Sequence, residues 1–220
     1  RSGSVTGVQT CALPISAAGR HAYGPVNVQD IAGLFDASFL EGRPHPLHLG
    51  LTEEIEELKS QQRLTFARVG VIDPVSVDDY LAHGGYAGLS RALSMSAGEI
   101  VEAVTQSGLR GRGGAAFPTG IKWKTVLDQP PQQKYVTCNA DEGDSGTFAD
   151  RMLMEGDPLM LIEGMTIAGV AVGATQGYIY LRAEYPHAHR ALNEAIAAAR
   201  AAGYLGSNIL GPVLDRKSVV

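Results

Sequence analysis

Five glycines, two arginines and a lysine fall within the sixteen residues from Gly108 to Trp123. Glycine lets the backbone turn its N–H groups toward an anion with no Cβ in the way. Arginine and lysine add charge suited to phosphate, and Phe117 and Trp123 can lie against a flat ring. A second signal follows from Cys138 to Phe148, where Asn139, Asp141, Glu142 and Asp144 cluster. The two runs together point to a site for a flat, phosphorylated, hydroxyl-rich cofactor.

The ends of the chain read differently from its middle. Val5 to Ser16 and Asp215 to Val220 resemble translated sequencing-library adapters, and neither carries a helix or strand period that fits its neighbour. Residues 1–16 and 215–220 are therefore set aside, with the expectation that they take no defined place. The credible protein runs from Ala17 to Leu214 and is expected to be cut short at both sides. Cys11-Ala12-Leu13-Pro14-Ile15 is too short for the apolar segment of a signal peptide.

At 220 residues and 45% hydrophobic, the chain has the composition of a soluble globular protein of one or two domains. Its formal charge of −5 argues against general nucleic-acid or anionic-membrane binding, though not against one local phosphate site. With Cys11 set aside, Cys138 alone can form neither an internal disulfide nor a thiolate metal site. The longest apolar run, Leu159 to Ala174, is interrupted by Glu163 and falls short of the roughly 20 residues of a membrane span. It reads as a buried helix, and a cytoplasmic location is the expectation.

Residues 17–50 read as the end of a preceding domain. His21 to Val26 is an edge strand stopped by Pro25. Ile31, Leu34, Phe35 and Leu40 give Val28–Leu40 a helical spacing. Residues 51–75 connect to the next domain, with Thr52 as N-cap of an acidic helix to Leu58. Residues 76–214 form the main domain. Val77–His83 and Leu89–Leu93 are helical, and Ser96 with Glu99 makes a capping box for a helix to Thr105. Strands are expected at Lys134–Cys138 and Gly177–Leu181, and helices at Asp157–Val172 and from Pro186 to Ala202. This alternation predicts an α/β layer with a parallel sheet and flanking helices.

Gly111 to Ala116 fits G-x-G-x-x-A, but the dinucleotide fingerprint also needs a strand before it and an acidic residue about twenty positions on. A helix precedes it here, Asp128 comes too early and Asp141 too late. No Gly-Lys-Ser/Thr follows, so it is no Walker A loop. The bland alternative is a glycine turn with incidental arginines, whose Lys122 and Trp123 start a helix. Asn139, Asp141 and Glu142 lie beyond a strand, where open parallel sheets bind ligands; the alternative there is a solvated acidic turn. Cys138 reads as a small buried hydrophobe. The six histidines form no catalytic or metal constellation, and surface or capping roles suit them.

At these motifs a family resemblance becomes specific. Gly108–Trp123, Cys138–Arg151 and Gly177–Pro186 resemble the flavin-bearing, 51-kDa-type subunit of NADH dehydrogenases. That family includes complex I, hydrogenase diaphorase and formate dehydrogenase members. The runs Asp144–Met152, Tyr180–His189 and Phe66–Pro74 look most like the beta subunit of NAD-dependent formate dehydrogenase, and Tyr23–Val26 with its following helix resembles the end of a thioredoxin-like domain. The resemblance implies a Rossmann-like parallel sheet with flanking helices, preceded by a thioredoxin-like remnant. It implies FMN and NAD as cofactors. Gly111, Arg112, Gly113 and Lys122 would line the FMN phosphate and ring, with Gly120 in the same run. Asn139, Asp141 and Glu142 would hold the ribityl chain and flavin edge. Gly114, Ala115 and Phe117 would face NADH, with Glu142 and Asp144 near the nicotinamide. Hydride would pass between the rings, and electrons would leave singly to a [4Fe-4S] cluster in an intact parent. Implied partners are an iron–sulfur subunit and a catalytic subunit of the formate dehydrogenase type.

The chain departs from the family at Ala116, where glycine is usual, and at Thr125, where some members carry an aromatic. The second flavin motif and the cluster cysteines are not found in it, so little or no activity is expected of the chain alone. A complex I subunit, a hydrogenase diaphorase and a flavin- or nucleotide-binding module without redox chemistry stay open beside formate dehydrogenase.

Overall fold

The computed structural model describes residues 15–16, 19–206 and 209–210. The chain divides into two compact units, Arg1–Arg63 and Leu64–Val220. Of the ends set aside above, only Ile15 and Ser16 fall within the described residues.

The first unit is built on an antiparallel sheet in the order β1 (Ile15–Ser16), β2 (Gly19–Tyr23), β3 (His48–Leu51). Tyr23, Leu34 and Phe39 form its core. The Tyr23 ring meets Phe39 edge-on at 5.7 Å, and its hydroxyl donates to the Arg43 carbonyl at 2.7 Å. The single helix expected over Val28–Leu40 is three pieces: a 3₁₀ turn Val28–Asp30, α1 (Ile31–Asp36) and a 3₁₀ turn Phe39–Glu41. Ser38 takes a left-handed conformation (φ +54°) that swings Phe39 inward. Ile31, Phe35 and Leu40 of the expected apolar face are exposed.

Thr52 caps no helix. It starts a 3₁₀ turn to Glu54, and α2 (Glu56–Lys59) begins after the extended Ile55. His21 and His48 are also not the surface groups that were expected. Their rings share a contact of 3.1 Å between Nδ1 and Nε2, and His48 stacks on Tyr23.

In the second unit the elements run α3 (Val77–Ala82), α4 (Ala87–Leu93), α5 (Ala97–Gln106), α6 (Thr119–Leu127), β4 (Tyr135–Ala140), α7 (Ala149–Gly156), α8 (Pro158–Val172), β5 (Gln176–Leu181) and α9 (Pro186–Ala201). Both halves of the Ser96–Glu99 capping box form. β4 and β5 pair in parallel from Tyr135 opposite Gln176 to Ala140 opposite Leu181. The expected α/β layer is thus present, with helices around a parallel pair.

Helix α8 organises this unit. It is apolar on all sides, the signature of a buried helix, and it packs against α4, α5, α6, α7, α9 and both strands. Leu159 and Ile162 anchor one cluster with Tyr80, Tyr86 and Leu89; Ala171 and Val172 anchor another with Ile100 and Val101. Its one acid, Glu163, is buried because three donors need it: Tyr80 Oη at 2.6 Å, Tyr86 N at 2.9 Å and Leu89 N at 2.8 Å. Helix α7 was not expected from sequence. Asp157, read as the first helical residue of α8, is the break between α7 and α8.

Candidate functional site

The glycine run is a loop between α5 and α6, closed at its neck. Arg110 bridges Pro118 in antiparallel fashion. Gly111 N donates to the Phe117 carbonyl at 2.9 Å, and Thr119 N to the Leu109 carbonyl at 2.9 Å. Arg110 Nη1 reaches the Ala116 carbonyl at 3.1 Å across the loop. Residues 111–117 are exposed beyond this neck. The turn needs left-handed backbone at Gly114 (φ +95°) and at Ala116 (φ +49°), where alanine stands in a conformation that favours glycine.

The glycines of the run do different work. A Cβ on Gly120 would enter Thr105, lying 2.6 Å from its Cα, so Gly120 is where α6 presses on α5. A Cβ on Gly111 would make only ordinary contact, 3.7 Å from the Phe117 carbonyl oxygen. A Cβ on Gly113 would meet nothing within 4 Å, and Gly113 has no left-handed φ. The fold therefore gives no reason for glycine at 113. Lys122 and Arg112 form no side-chain hydrogen bond or ion pair among the described residues, whereas the neighbouring Lys124 is engaged by Asp128. Trp123 packs on the cluster of Ile100 and Val101, as in the bland alternative, and not against the open loop.

The acidic turn leaves the C-terminal end of β4. Asn139 Oδ1 accepts from Asp141 N at 3.2 Å, which starts the turn. Glu142, like Ala116, is a non-glycine residue in left-handed backbone (φ +42°). Its carboxylate is turned away from the exposed side: Oε1 accepts from Asp150 N at 2.8 Å and Oε2 from Arg151 N at 3.0 Å, capping α7. Asp141 and Asp144 are exposed, and their carboxylates have no hydrogen-bond or ion-pair partner among the described residues. Thr137, Asn139, Asp141 and Tyr180 line an open concavity of about 470 Å³ on the uncovered face of the sheet. Behind the sheet, burial and then Asp150 push the Cys138 thiol up, consistent with an inert packing residue.

No hydrogen bond or ion pair joins the glycine loop to the acidic turn among the described residues. Both are carried by elements that pack on α8. Lys134, just before β4, donates to the Val126 carbonyl at 2.7 Å at the end of α6. Sequence reasoning did not single out Arg151, Arg182 and Tyr185, which surround Glu142. Arg182 and Tyr185 stand 40 and 43 positions from Glu142, and no local spacing marks them.

The described residues thus offer an exposed glycine loop with two unengaged cations and a glycine that meets no neighbour, and an exposed acidic turn at a strand end in the same α/β unit. Residues 104–217 match the family of the Nuo51 FMN-binding domain, and the chain belongs to it. Over 157 residues the chain is 53% identical to the HndC subunit of the NADP-reducing hydrogenase of Solidesulfovibrio fructosivorans, covering 71% of this chain and 32% of that protein. It is 52% identical over 140 residues to the F subunit of the NADH-quinone oxidoreductase of Aquifex aeolicus, covering 64% and 33%. Against the corresponding Escherichia coli protein the identity is 48% over 144 residues, covering 64% and 32%. Among solved structures, an NAD+-reducing [NiFe]-hydrogenase in the air-oxidised state matches with a TM-score of 0.51 at 25% identity, over 86% of this chain and 32% of that one. The chain thus spans about a third of the relatives it matches.

Proposed function

We propose that this chain carries part of the FMN and NAD(H) site of an NADH-linked oxidoreductase. The observation that carries the reading is Gly113, whose missing side chain serves no neighbour and leaves the loop backbone open to a ligand. The residues fit FMN. Gly111, Arg112, Gly113 and Lys122 offer amides and charge to a phosphate. Asn139 and Asp141 offer acceptors to ribityl hydroxyls, and Glu142 fixes the turn that presents them. Gly114, Ala115, Phe117 and Asp144 would meet the nicotinamide nucleotide, with Phe117 half-exposed for stacking. Gly120 contributes by seating α6 under the loop. Bound FMN supplies hydride exchange with NAD(H) and releases electrons singly, toward a [4Fe-4S] cluster in the longer protein. The chain's own residues bind and orient, and none need act as acid or base.

Titration of FMN with the purified chain, followed by flavin fluorescence, tests this. Weak saturable binding is expected, with riboflavin binding about tenfold less tightly for want of the phosphate. Equal binding of the two, or none, overturns the reading.

For the complex, we propose an NAD-dependent formate dehydrogenase in the cytoplasm, with iron–sulfur and catalytic subunits as partners. The support is the resemblance of Asp144–Met152, Tyr180–His189 and Phe66–Pro74. The first unit is read with it as a thioredoxin-like remnant within residues 17–50, joined by 51–75 to residues 76–214. No described helix is long and apolar enough to cross a membrane. A hydrogenase diaphorase is the second reading, favoured by the similarity to HndC. Co-purification with the tagged protein decides between them: molybdenum or tungsten with formate-dependent NAD+ reduction supports the first, nickel with hydrogen-dependent reduction the second.

A further inference from the structure

We propose that Arg182 and Tyr185 are positioning residues that hold the acidic turn in its ligand-facing shape. The inference rests on the FMN reading above. Glu142 sits in backbone that a residue with a side chain rarely adopts, so its neighbours have to hold it there. Arg182 follows β5 directly. Its N donates to the Ala140 carbonyl at 3.2 Å, which carries the parallel ladder to the start of the turn. From there Arg182 Nη1 donates to the Glu142 carbonyl at 2.7 Å. Tyr185, buried by its packing against Met154 and Ala188, donates its hydroxyl to Glu142 Oε2 at 3.2 Å.

The Arg151 and Arg182 guanidinium groups stand 5.4 and 5.6 Å from the centre of the Tyr185 ring. Glu142 is therefore held at its carbonyl and at its carboxylate at once, by groups from the β5–α9 connection and the first turn of α7. The result is a division of labour within four residues. Glu142 faces the protein as the anchor, and Asp141 and Asp144 are left free to accept hydrogen bonds from a hydroxyl-rich ligand.

The test compares the wild-type chain with Arg182→Ala, Arg182→Lys, Tyr185→Phe and Gly113→Ala. Amide hydrogen exchange is read over 141–151, and FMN affinity by fluorescence. In Arg182→Ala, the amides of Asp150 and Arg151 should exchange about tenfold faster while α8 keeps its protection, and FMN affinity should fall about tenfold. Arg182→Lys, which restores one charged donor, should recover most of both, and Tyr185→Phe should show a smaller loss of both. Unchanged exchange at Asp150 and Arg151 in Arg182→Ala overturns the proposal, as does an equal loss of protection throughout α8 and α9. So does a loosened turn with unchanged FMN affinity when Gly113→Ala weakens binding. A wild-type chain that takes up no FMN overturns the cofactor reading itself, whatever the exchange shows.

Discussion

Gly120 of α6 lies so close to Thr105 of α5 that a single added methyl group would sit 2.6 Å from the Thr105 Cα. Neither atom can give way cheaply, since one belongs to helix backbone. Gly120→Ala should therefore push α6 off α5 and cost about 1–3 kcal/mol, as overpacking does. Urea unfolding of the chain measures this directly, and an unchanged midpoint would show that the contact is looser than described.

Gly113→Ala should behave in the opposite way. Its methyl would meet no atom within 4 Å, and its backbone is not left-handed, so the urea midpoint should move by less than about 0.5 kcal/mol. FMN affinity should nonetheless fall about tenfold if, as proposed above, the phosphate approaches the loop amides at this position. Retained affinity would remove the main support for placing the phosphate here.

Glu163→Gln tests the buried acid of α8. All three groups that reach its carboxylate are donors. A glutamine replaces one acceptor oxygen with an NH₂ group that faces a donor, leaving at least one buried hydrogen bond unmade. The expected loss is about 1–3 kcal/mol, read from the denaturation midpoint. The same carboxylate, after burial itself, holds the Tyr80 hydroxyl far above the ordinary phenol range, so Tyr80 should stay un-ionised at pH 11, as read from ultraviolet difference absorbance against Tyr80→Phe.

Arg68 and Asp157 give a pH-dependent prediction. The Asp157 side chain is fully buried and its Oδ2 pairs with Arg68 Nε at 2.9 Å. Burial raises the Asp157 carboxyl above its usual range, against the opposing pull of Arg68. A raised native value means that the folded chain binds this proton more tightly than the unfolded chain. This group's contribution to stability therefore rises as pH falls through the native value. Arg68→Ala leaves the buried carboxylate uncompensated and should cost about 3–5 kcal/mol at pH 8. The penalty should be smaller at pH 5 than at pH 8, because lower pH favours the neutral carboxyl. Equal penalties at the two pH values would exclude this account.

Much of the second unit was legible because its signals are local. Ser96 and Glu99 are three residues apart, and each supplies what the other's backbone lacks. Pro186 sets the start of α9, and the β-rich run at Gly177–Leu181 is a strand in any context that buries one face. Helix α7 escaped notice because its cap is not local. The carboxylate that satisfies its first amides belongs to Glu142, eight and nine residues back, beyond the three-residue reach of a capping box. The one long helix expected over Val28–Leu40 failed for a similar reason. Packing on Tyr23 drew Phe39 inward, and Ser38 broke the helix to allow it.

For the candidate site, the sequence by itself determined the inventory: a glycine loop with arginines and a lysine, an acidic turn at a strand end, and their order in an α/β chain. Residue type and near spacing suffice for that, because backbone freedom and charge belong to the residues themselves. Only the tertiary structure decided the roles. Gly113 and Gly120 are the same residue in the same run, yet one faces open space and the other the Cα of Thr105. Asp141 and Glu142 are adjacent acids, yet one is free and the other is held by Arg182 and Tyr185, 40 and 43 positions on. Those differences come from contacts between distant segments, which exist only once α5, α7, β5 and α9 have packed.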